Sequence, residues 1–281
     1  MPSTTPVPSR EPSENIASSR RRVCVRGIEF DHITSAETIA EVFDRMEGGA
    51  GGQVVTANLD HMVRASREPR YLRHLQSAEL NVADGMPIVW ASRLRGRPLP
   101  ERVTGSDMVH GLVAEAAARG RSVFLLGGNP GVAQEAGRVW SEKHAGLRVA
   151  GSYCPPMGFE KDEAAMGEIR RVLAESEPDL VLVALGSPKQ EYLIEDLREM
   201  LPQAWWIGVG ISFSFVTGQV RRAPVWMQRI GLEWLFRLLC EPRRLAKRYL
   251  VDGVPFASVL LISAIGARLG LYPLYDDPQQ G

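Results

Sequence analysis

The chain has 281 residues, 44% hydrophobic and 23% charged, with 33 Lys and Arg balancing 33 Asp and Glu. That length suits one large globular domain or two small ones, and the composition excludes a fibrous or wholly disordered protein. The zero net charge gives no overall basic character that would point to nucleic acid.

Residues 1–20 are rich in Pro, Ser and Thr and lack an apolar centre. They are expected to form a disordered tail rather than a secretory signal. Cys24, Cys154 and Cys240 lie far apart. Their odd number and spacing argue against a disulfide framework or metal site and fit a reducing cytoplasm. Val23 to Phe30 alternates and predicts a first strand. Ser35 then precedes an amphipathic helix carrying Ile39, Val42 and Phe43, which the Gly48–Gly52 run ends. Gln53 to Asn58 reads as a buried strand running into a polar tip, and Asn81 to Asp84 as a second one stopped by Gly85. Between them Leu59 to Ser77 is helical, with a break near Pro69. Ligands of open α/β sheets sit outside the carboxyl ends of the strands, so Thr56, Asn58 and Asp84 are expected on one rim. Asp84, at a strand end in apolar surroundings, is the candidate working carboxylate. The plainer alternatives are a turn at Asp84–Gly85 and a helix cap at Asn58.

Pro87 to Ser92 predicts a helix start and residues 93–102 a basic loop. Ser106 or Asp107 is expected to cap a helix running to Ala118. Ser122 to Leu126 is a strand followed by Gly127-Gly128-Asn129-Pro130-Gly131 and a helix to about His144, a unit suited to an anion at a helix N-terminus. No Gly-Lys-Ser/Thr follows, so it is not a Walker loop. Leu126 occupies the place of the first glycine in G-x-G-x-x-G, and the strand Arg148 to Tyr153 ends without a ribose-binding acid. A nicotinamide dehydrogenase is thereby demoted, while a nucleoside diphosphate remains. Asp162 to Ser176 predicts a helix, and Pro178 to Leu185 a buried parallel strand. Gly186 to Glu191 turns into a helix ending near Met200, and Trp205 to Gly210 is the last core strand. The alternation argues an α/β fold over residues 21–220: a Rossmann-like, mostly parallel sheet with helices on both faces.

Residues 221–281 read as a C-terminal helical appendage. Up to Arg248 it carries Arg221, Arg222, Arg229, Arg237, Arg243, Arg244, Lys247 and Arg248 against only Glu233 and Glu241. Trp226, Ile230, Trp234 and Leu238 recur at i, i+4 and are expected on one helical face. A basic helix with interfacial tryptophans suits an anionic bilayer surface. The alternative is a core-packed helix with solvated arginines. Val254 to Leu271 is apolar but holds Pro255, Gly266 and Arg268, at the short limit for a span. A monotopic or protein-packed segment is expected there.

Thr56-Ala57-Asn58, Ala83-Asp84-Gly85 and Arg102-Val103-Thr104-Gly105-Ser106-Asp107 occur in that order. Phe124-Leu125-Leu126-Gly127-Gly128, Leu185-Gly186-Ser187-Pro188-Lys189-Gln190-Glu191, Arg222-Ala223-Pro224 and Gly231-Leu232-Glu233-Trp234 follow. Together they resemble the WecG/TagA/CpsF family of bacterial glycosyltransferases, over roughly Val23 to Tyr249. The resemblance implies inverting transfer of a hexose, often N-acetylmannosamine, from a UDP-sugar donor. The implied acceptor is a polyprenyl-diphosphate-linked sugar at the cytoplasmic membrane face, in the making of teichoic acid, capsule or exopolysaccharide. It further implies Asp84 as general base, Thr56, Asn58 and Gln190 in the sugar and acceptor pocket, and Arg102 supporting the donor phosphates. The appendage would touch the membrane and help close the site.

The residues themselves add a constraint. No Asp-x-Asp occurs anywhere, so no metal or other cofactor is expected. The diphosphate charge would fall on backbone N–H groups at Gly127, Gly128 and the Gly186–Gln190 turn, and on Arg102, Arg221 and Arg222. Asp107 is expected to cap its helix, with a sugar hydroxyl as the other candidate partner, and Lys189 to be a solvated turn residue. A nucleotide-dependent oxidoreductase and a non-catalytic, membrane-associated nucleotide-sugar binding protein are the competing readings. The chain is compatible with a homo-oligomer.

Overall fold

The computed structural model describes residues 21–271, and the expected N-terminal tail lies outside the described residues. Val23 to Phe30 is two strands rather than one. β1 (Arg22–Val25) and β2 (Ile28–Asp31) pair antiparallel. Arg26 and Gly27 between them have φ of 55° and 79°, the left-handed pair of a two-residue hairpin turn. Helix α1 (Ser35–Glu47) is capped by Thr34, not Ser35: Thr34 accepts from the Glu37 N–H while the Glu37 carboxylate accepts from the Thr34 N–H. This reciprocal box satisfies two donors that the helix start would otherwise leave open.

The second sheet starts with β3 (Gly52–Ala57), followed by the short helices α2 (Leu59–Ala65) and α3 (Pro69–Gln76), split at Pro69 as expected. Next come β4 (Leu80–Ala83), α4 (Met86–Leu94) and α5 (Gly105–Ala118). The alternation continues through β5 (Ser122–Gly127), α6 (Val132–Lys143), β6 (Arg148–Tyr153) and α7 (Glu163–Ser176). It closes with β7 (Leu180–Ala184), α8 (Lys189–Leu197), β8 (Trp205–Gly208) and α9 (Ser212–Val216). The six strands lie in the order β4-β3-β8-β7-β5-β6, every pair parallel. The expected α/β, Rossmann-like architecture is therefore present.

Successive strand residues face opposite sides of a sheet, and this sorts the core. Val54, Leu80, Val82, Leu125, Leu182 and Ile207 pack with α1, α5, α6 and Phe213 of α9 on one face. Val55, Ala57 and Ala83 pack on the other with the hairpin and α2 to α4. Phe124, Val181, Val183 and Trp206 meet α7 and α8 on that second face. Consequently the chain leaves β3 toward one face and leaves the neighbouring β8 toward the other. Such a reversal opens a crevice at the carboxyl ends of the two strands.

The stretch from Trp226 to Leu238 departs from the expected single helical face. α10 (Val225–Arg229) and α11 (Glu233–Cys240) are separate, broken at Gly231, whose φ is 78°. Trp226 and Trp234 therefore do not share one continuous helical face. α12 (Pro242–Ala246), a π-helical turn (Lys247–Gly253) and α13 (Val254–Arg268) then form one helical rod of 27 residues. α13 lies on α4, with Leu260 and Ala264 buried in the hairpin-side core. Burying a leucine contributes about 1.5–3 kcal/mol. Arg248–Asp60 at 2.9 Å and Arg67–Asp252 at 3.0 Å tie the rod to α2, though pairs this exposed add at most about 1 kcal/mol each.

Candidate active site

Thr56, Asn58 and Asp84 do share a rim. β3 and β4 run in register with Ala57 opposite Ala83. The next amide, Asp84 N–H, donates to Ala57 O at 2.8 Å, and Val103 N–H donates to Ala83 O at 2.9 Å. The backbone that carries the carboxylate is thus held between the end of β3 and the segment entering α5. Asp84 is half-buried. Loss of water raises its pKa to about 8, against the pull of Arg102, with Glu233 and Asp107 adding to the rise and Arg222 opposing it. A carboxylate whose conjugate acid has a pKa in this range takes up a proton readily near neutral pH, as a general base requires.

Two arginines and two carboxylates stand beside it. Glu233 Oε2 lies 3.5 Å from Arg102 Nη1, and its Oε1 accepts from Arg222 Nε at 3.1 Å. Arg222 Nη1 also donates to Asp107 Oδ1. The expectation that Asp107 caps α5 is corrected: Thr104, with extended φ and ψ of −102° and 141°, is the cap and accepts from Asp107 N–H. A cap needs that extended backbone, and Asp107 already lies within the first helical turn. Its carboxylate instead accepts from the Thr104 hydroxyl at 2.7 Å and from Arg222. Burial opposes ionisation of Asp107, but those hydrogen bonds outweigh it and hold the carboxyl below its usual range. Arg221 is exposed and takes no described part in the cluster.

A second polar chain joins three strand ends. Asn58 caps α2, its Oδ1 accepting from Asp60 N–H and His61 N–H. Asn58 N–H donates to His61 Nδ1 at 2.8 Å. That assigns the His61 proton to Nε2, which faces Glu191 Oε1 at 3.3 Å. Gln190 Nε2 donates to the same oxygen at 2.8 Å, while Gln190 Oε1 accepts from Gly186 N–H and Gly210 N–H. Gln190 is buried and brackets the loops after β7 and β8. A Cβ on Gly208 would lie 2.5 Å from Gln190 Nε2, so any side chain there would have to push the Gln190 amide aside. Burial would raise the Glu191 pKa, but the His61 and Gln190 hydrogen bonds hold it at about 2. Thr56, also buried, lines the crevice with Gly105, where a Cβ would stand 3.2 Å from both Thr56 Oγ1 and Gly208 O.

The glycine loop lies elsewhere. Gly127 ends β5 opposite Ala184, with φ of 102°, and a Cβ there would meet Ala184 O at 2.6 Å. Gly128 N–H is committed to Ala184 O at 2.7 Å, and Gly186 N–H to Gln190. Between β4 and β5 stand three strands, placing Gly127–Gly128 about 19 Å from the end of β4 at ~4.8 Å per strand. The α6 start, at that far end of the rim, has no side-chain cap, and its first amide, Val132 N–H, donates to Asn129 O at 3.0 Å. Lys189 is not merely solvated: its Nζ meets Glu160 Oε1 at 2.6 Å.

Glu233, Thr104, His61 and Glu191 complete the site; in the sequence Thr104, Glu191 and Glu233 stand within the quoted motifs without an assigned role, and His61 carries no signal of its own. The Arg102–Glu233 and His61–Glu191 contacts span 131 and 130 residues, and no local spacing signals such pairs. Thr104 was legible, since Thr-x-x-Asp is a variant of the capping pattern. Among the described residues no three His, Cys, Asp or Glu side chains cluster as metal ligands.

Comparison with known proteins bears on this arrangement. Residues 23–269 match the glycosyl transferase WecG/TagA/CpsF family. The chain is 37% identical over 199 residues to the N-acetylglucosaminyldiphosphoundecaprenol N-acetyl-beta-D-mannosaminyltransferase of Bacillus spizizenii, covering 71% of this chain and 75% of that relative. With its parallel sheet, its rim carboxylate and a family match from the hairpin to the end of the C-terminal rod, the chain belongs to the WecG/TagA/CpsF glycosyltransferase family.

Proposed function

We propose that the protein is an inverting transferase that moves N-acetylmannosamine or a related hexose from UDP to a polyprenyl-diphosphate-linked sugar at the cytoplasmic face of the membrane. The observation that carries this reading is Asp84, with its pKa raised to about 8, set beside the Arg102 and Arg222 guanidiniums. The relative's printed name supplies the class of sugar and acceptor. Asp84 takes the proton of the acceptor hydroxyl as its oxygen bonds to the anomeric carbon. The bond from that carbon to the diphosphate breaks, and UDP leaves with its negative charge facing the two arginines. Thr56 and Asn58 line the acceptor side of this rim. A UDP-sugar laid along the strand ends would direct its nucleoside away from β4, toward the α6 start.

The test is UDP release from UDP-hexoses, with and without a short-chain polyprenyl-diphosphate N-acetylglucosamine acceptor. Acceptor-dependent release is the expected result, and no release from any UDP-hexose would overturn the reading. Because arginines are offered to the diphosphate and no Asp-x-Asp is present, release is also expected to survive EDTA. Complete loss on chelation, restored by magnesium or manganese, would sink metal independence.

Membrane contact is assigned to the C-terminal rod. Val259, Ile262 and Ile265 on α13 and Leu269 just past its end are exposed, away from the buried Leu260 and Ala264. Arg243 and Lys247 stand exposed at its start. By length and composition Pro242–Arg268 is long and apolar enough to cross a bilayer, but a crossing would strip Leu260 and Ala264 from α4. The rod is therefore taken to lie along the surface, where each basic side chain near anionic lipid adds about 1 kcal/mol. The double variant Val259→Glu with Ile262→Glu is expected to cut sedimentation with anionic vesicles at least about tenfold and to leave transfer to a water-soluble acceptor analogue intact. Vesicle binding equal to wild type would remove the rod as the anchor.

A further inference from the structure

We propose that Glu233 is a built-in stand-in for the diphosphate. It holds Arg102 and Arg222 at the rim of the ligand-free chain, and an arriving diphosphate displaces it and releases the first turn of α11. The inference rests on the diphosphate reading above and extends it to a residue whose part in that reading is otherwise unassigned.

Four observations support it. Glu233 is mostly buried, at 14% side-chain exposure, and reaches both arginines at once, one oxygen to each. That two-oxygen span is the geometry a bridging phosphate would present. The two contacts are unequal and incomplete. Arg102 stands 3.5 Å from Glu233, at the outer limit of a hydrogen bond, and this is its one described side-chain bond. Arg222 Nη2 is withdrawn from water with no acceptor among the described residues. A buried guanidinium donor with nothing to donate to points to an acceptor that the chain itself does not supply.

The charge count adds to this. Arg102 and Arg222 are balanced by Glu233 and Asp107, and Asp84 is neutral while it keeps its proton. A sugar-linked diphosphate brings one negative charge on each phosphate. If Glu233 stayed, two guanidiniums would face four negative charges in a half-buried site. Asp107 is held separately, by the Thr104 hydroxyl and within its own helix turn. Glu233 is the carboxylate with no such second anchor, since its described hydrogen bonds go to the two arginines alone.

The backbone around Glu233 suits release. It is the first residue of α11, which begins without a side-chain cap, just after the left-handed Gly231. Gly231 packs against α4: a Cβ there would lie 2.4 Å from Met86 Cγ. Met86 follows Asp84–Gly85 directly, so the start of α11 rests on the loop that carries the base.

The experiment uses the full chain and two probes, UDP and inorganic pyrophosphate. Glu233→Gln is expected to bind both about 5- to 10-fold more tightly than wild type, because the competing charge is gone. A merely structural Glu233 would give weaker binding on the same substitution. Independently of any variant, UDP bound to wild type is expected to speed amide exchange over residues 233–240. Unchanged or weakened affinity in a folded Glu233→Gln overturns the inference, and so does exchange that stays the same or slows in wild type. If wild type binds neither probe, the diphosphate reading itself fails and takes this inference with it. Binding without the affinity gain or the exchange gain sinks only the stand-in.

Discussion

Asp84→Asn is expected to lower transfer by about 100- to 10,000-fold, the usual contribution of a positioned general base, while UDP affinity stays within about twofold of wild type. Asparagine keeps the size of the side chain and the backbone bonds to Ala57 and Val103 on either side of it, but it cannot accept the acceptor's proton. The same variant carries a stability signature that separates a lost base from a lost fold. The folded-state pKa of Asp84 lies near 8, above the ordinary carboxylate value of 3.8. Protonation therefore favours the folded chain: this contribution is fully present below about pH 4 and is lost as pH rises through 8. The substituted amide ionises in neither state, so the variant is expected to melt at a higher temperature than wild type at pH 9 and to lose that advantage near pH 4. Wild-type turnover is expected to rise with pH through an apparent pKa near 8. Near-normal turnover by a folded variant would remove Asp84 from the chemistry.

Arg222→Ala is expected to lower kcat/KM for the donor by about 100- to 1,000-fold, the usual cost of removing one group that meets developing charge. Three effects act together. The leaving diphosphate loses a guanidinium, Glu233 and Asp107 each lose one of their two partners, and Asp84 loses one of the two positive charges that restrain its pKa. The third effect has a sign that can be read directly: the ascending limb of the pH–rate profile should move to higher pH. Arg222→Lys is expected to recover only part of the loss, because an ammonium cannot reach Glu233 and Asp107 in the two directions that a guanidinium does. Full activity in Arg222→Ala, with an unmoved profile, would place the diphosphate elsewhere.

Much of this protein is determined by its sequence alone. The apolar runs at Gln53–Ala57, Leu180–Ala184 and Trp205–Gly208 specify buried strands because a strand covered on both faces must be apolar throughout. Asn58, Thr34 and Thr104 specify helix starts through atoms only two or three residues away. Asp84 was legible as a rim carboxylate because strand, polar tip and glycine follow one another in the chain. The break at Gly231 and the Arg26–Gly27 hairpin turn were not read, since the first depends on one left-handed residue and the second on two, each within a pattern that reads as regular.

What only the tertiary structure decided is the electrostatic setting of that carboxylate. Strand order puts β3 between β4 and β8 and leaves Gly127–Gly128 at the far end of the rim, although the sequence spacing treats every strand end alike. The return of the chain after α9 brings Arg222 and Glu233 beside Arg102 and Asp107, more than a hundred residues distant. Burial and charge act through space, not along the chain. The identity of Asp84 is therefore local, while its pKa near 8 belongs to the fold.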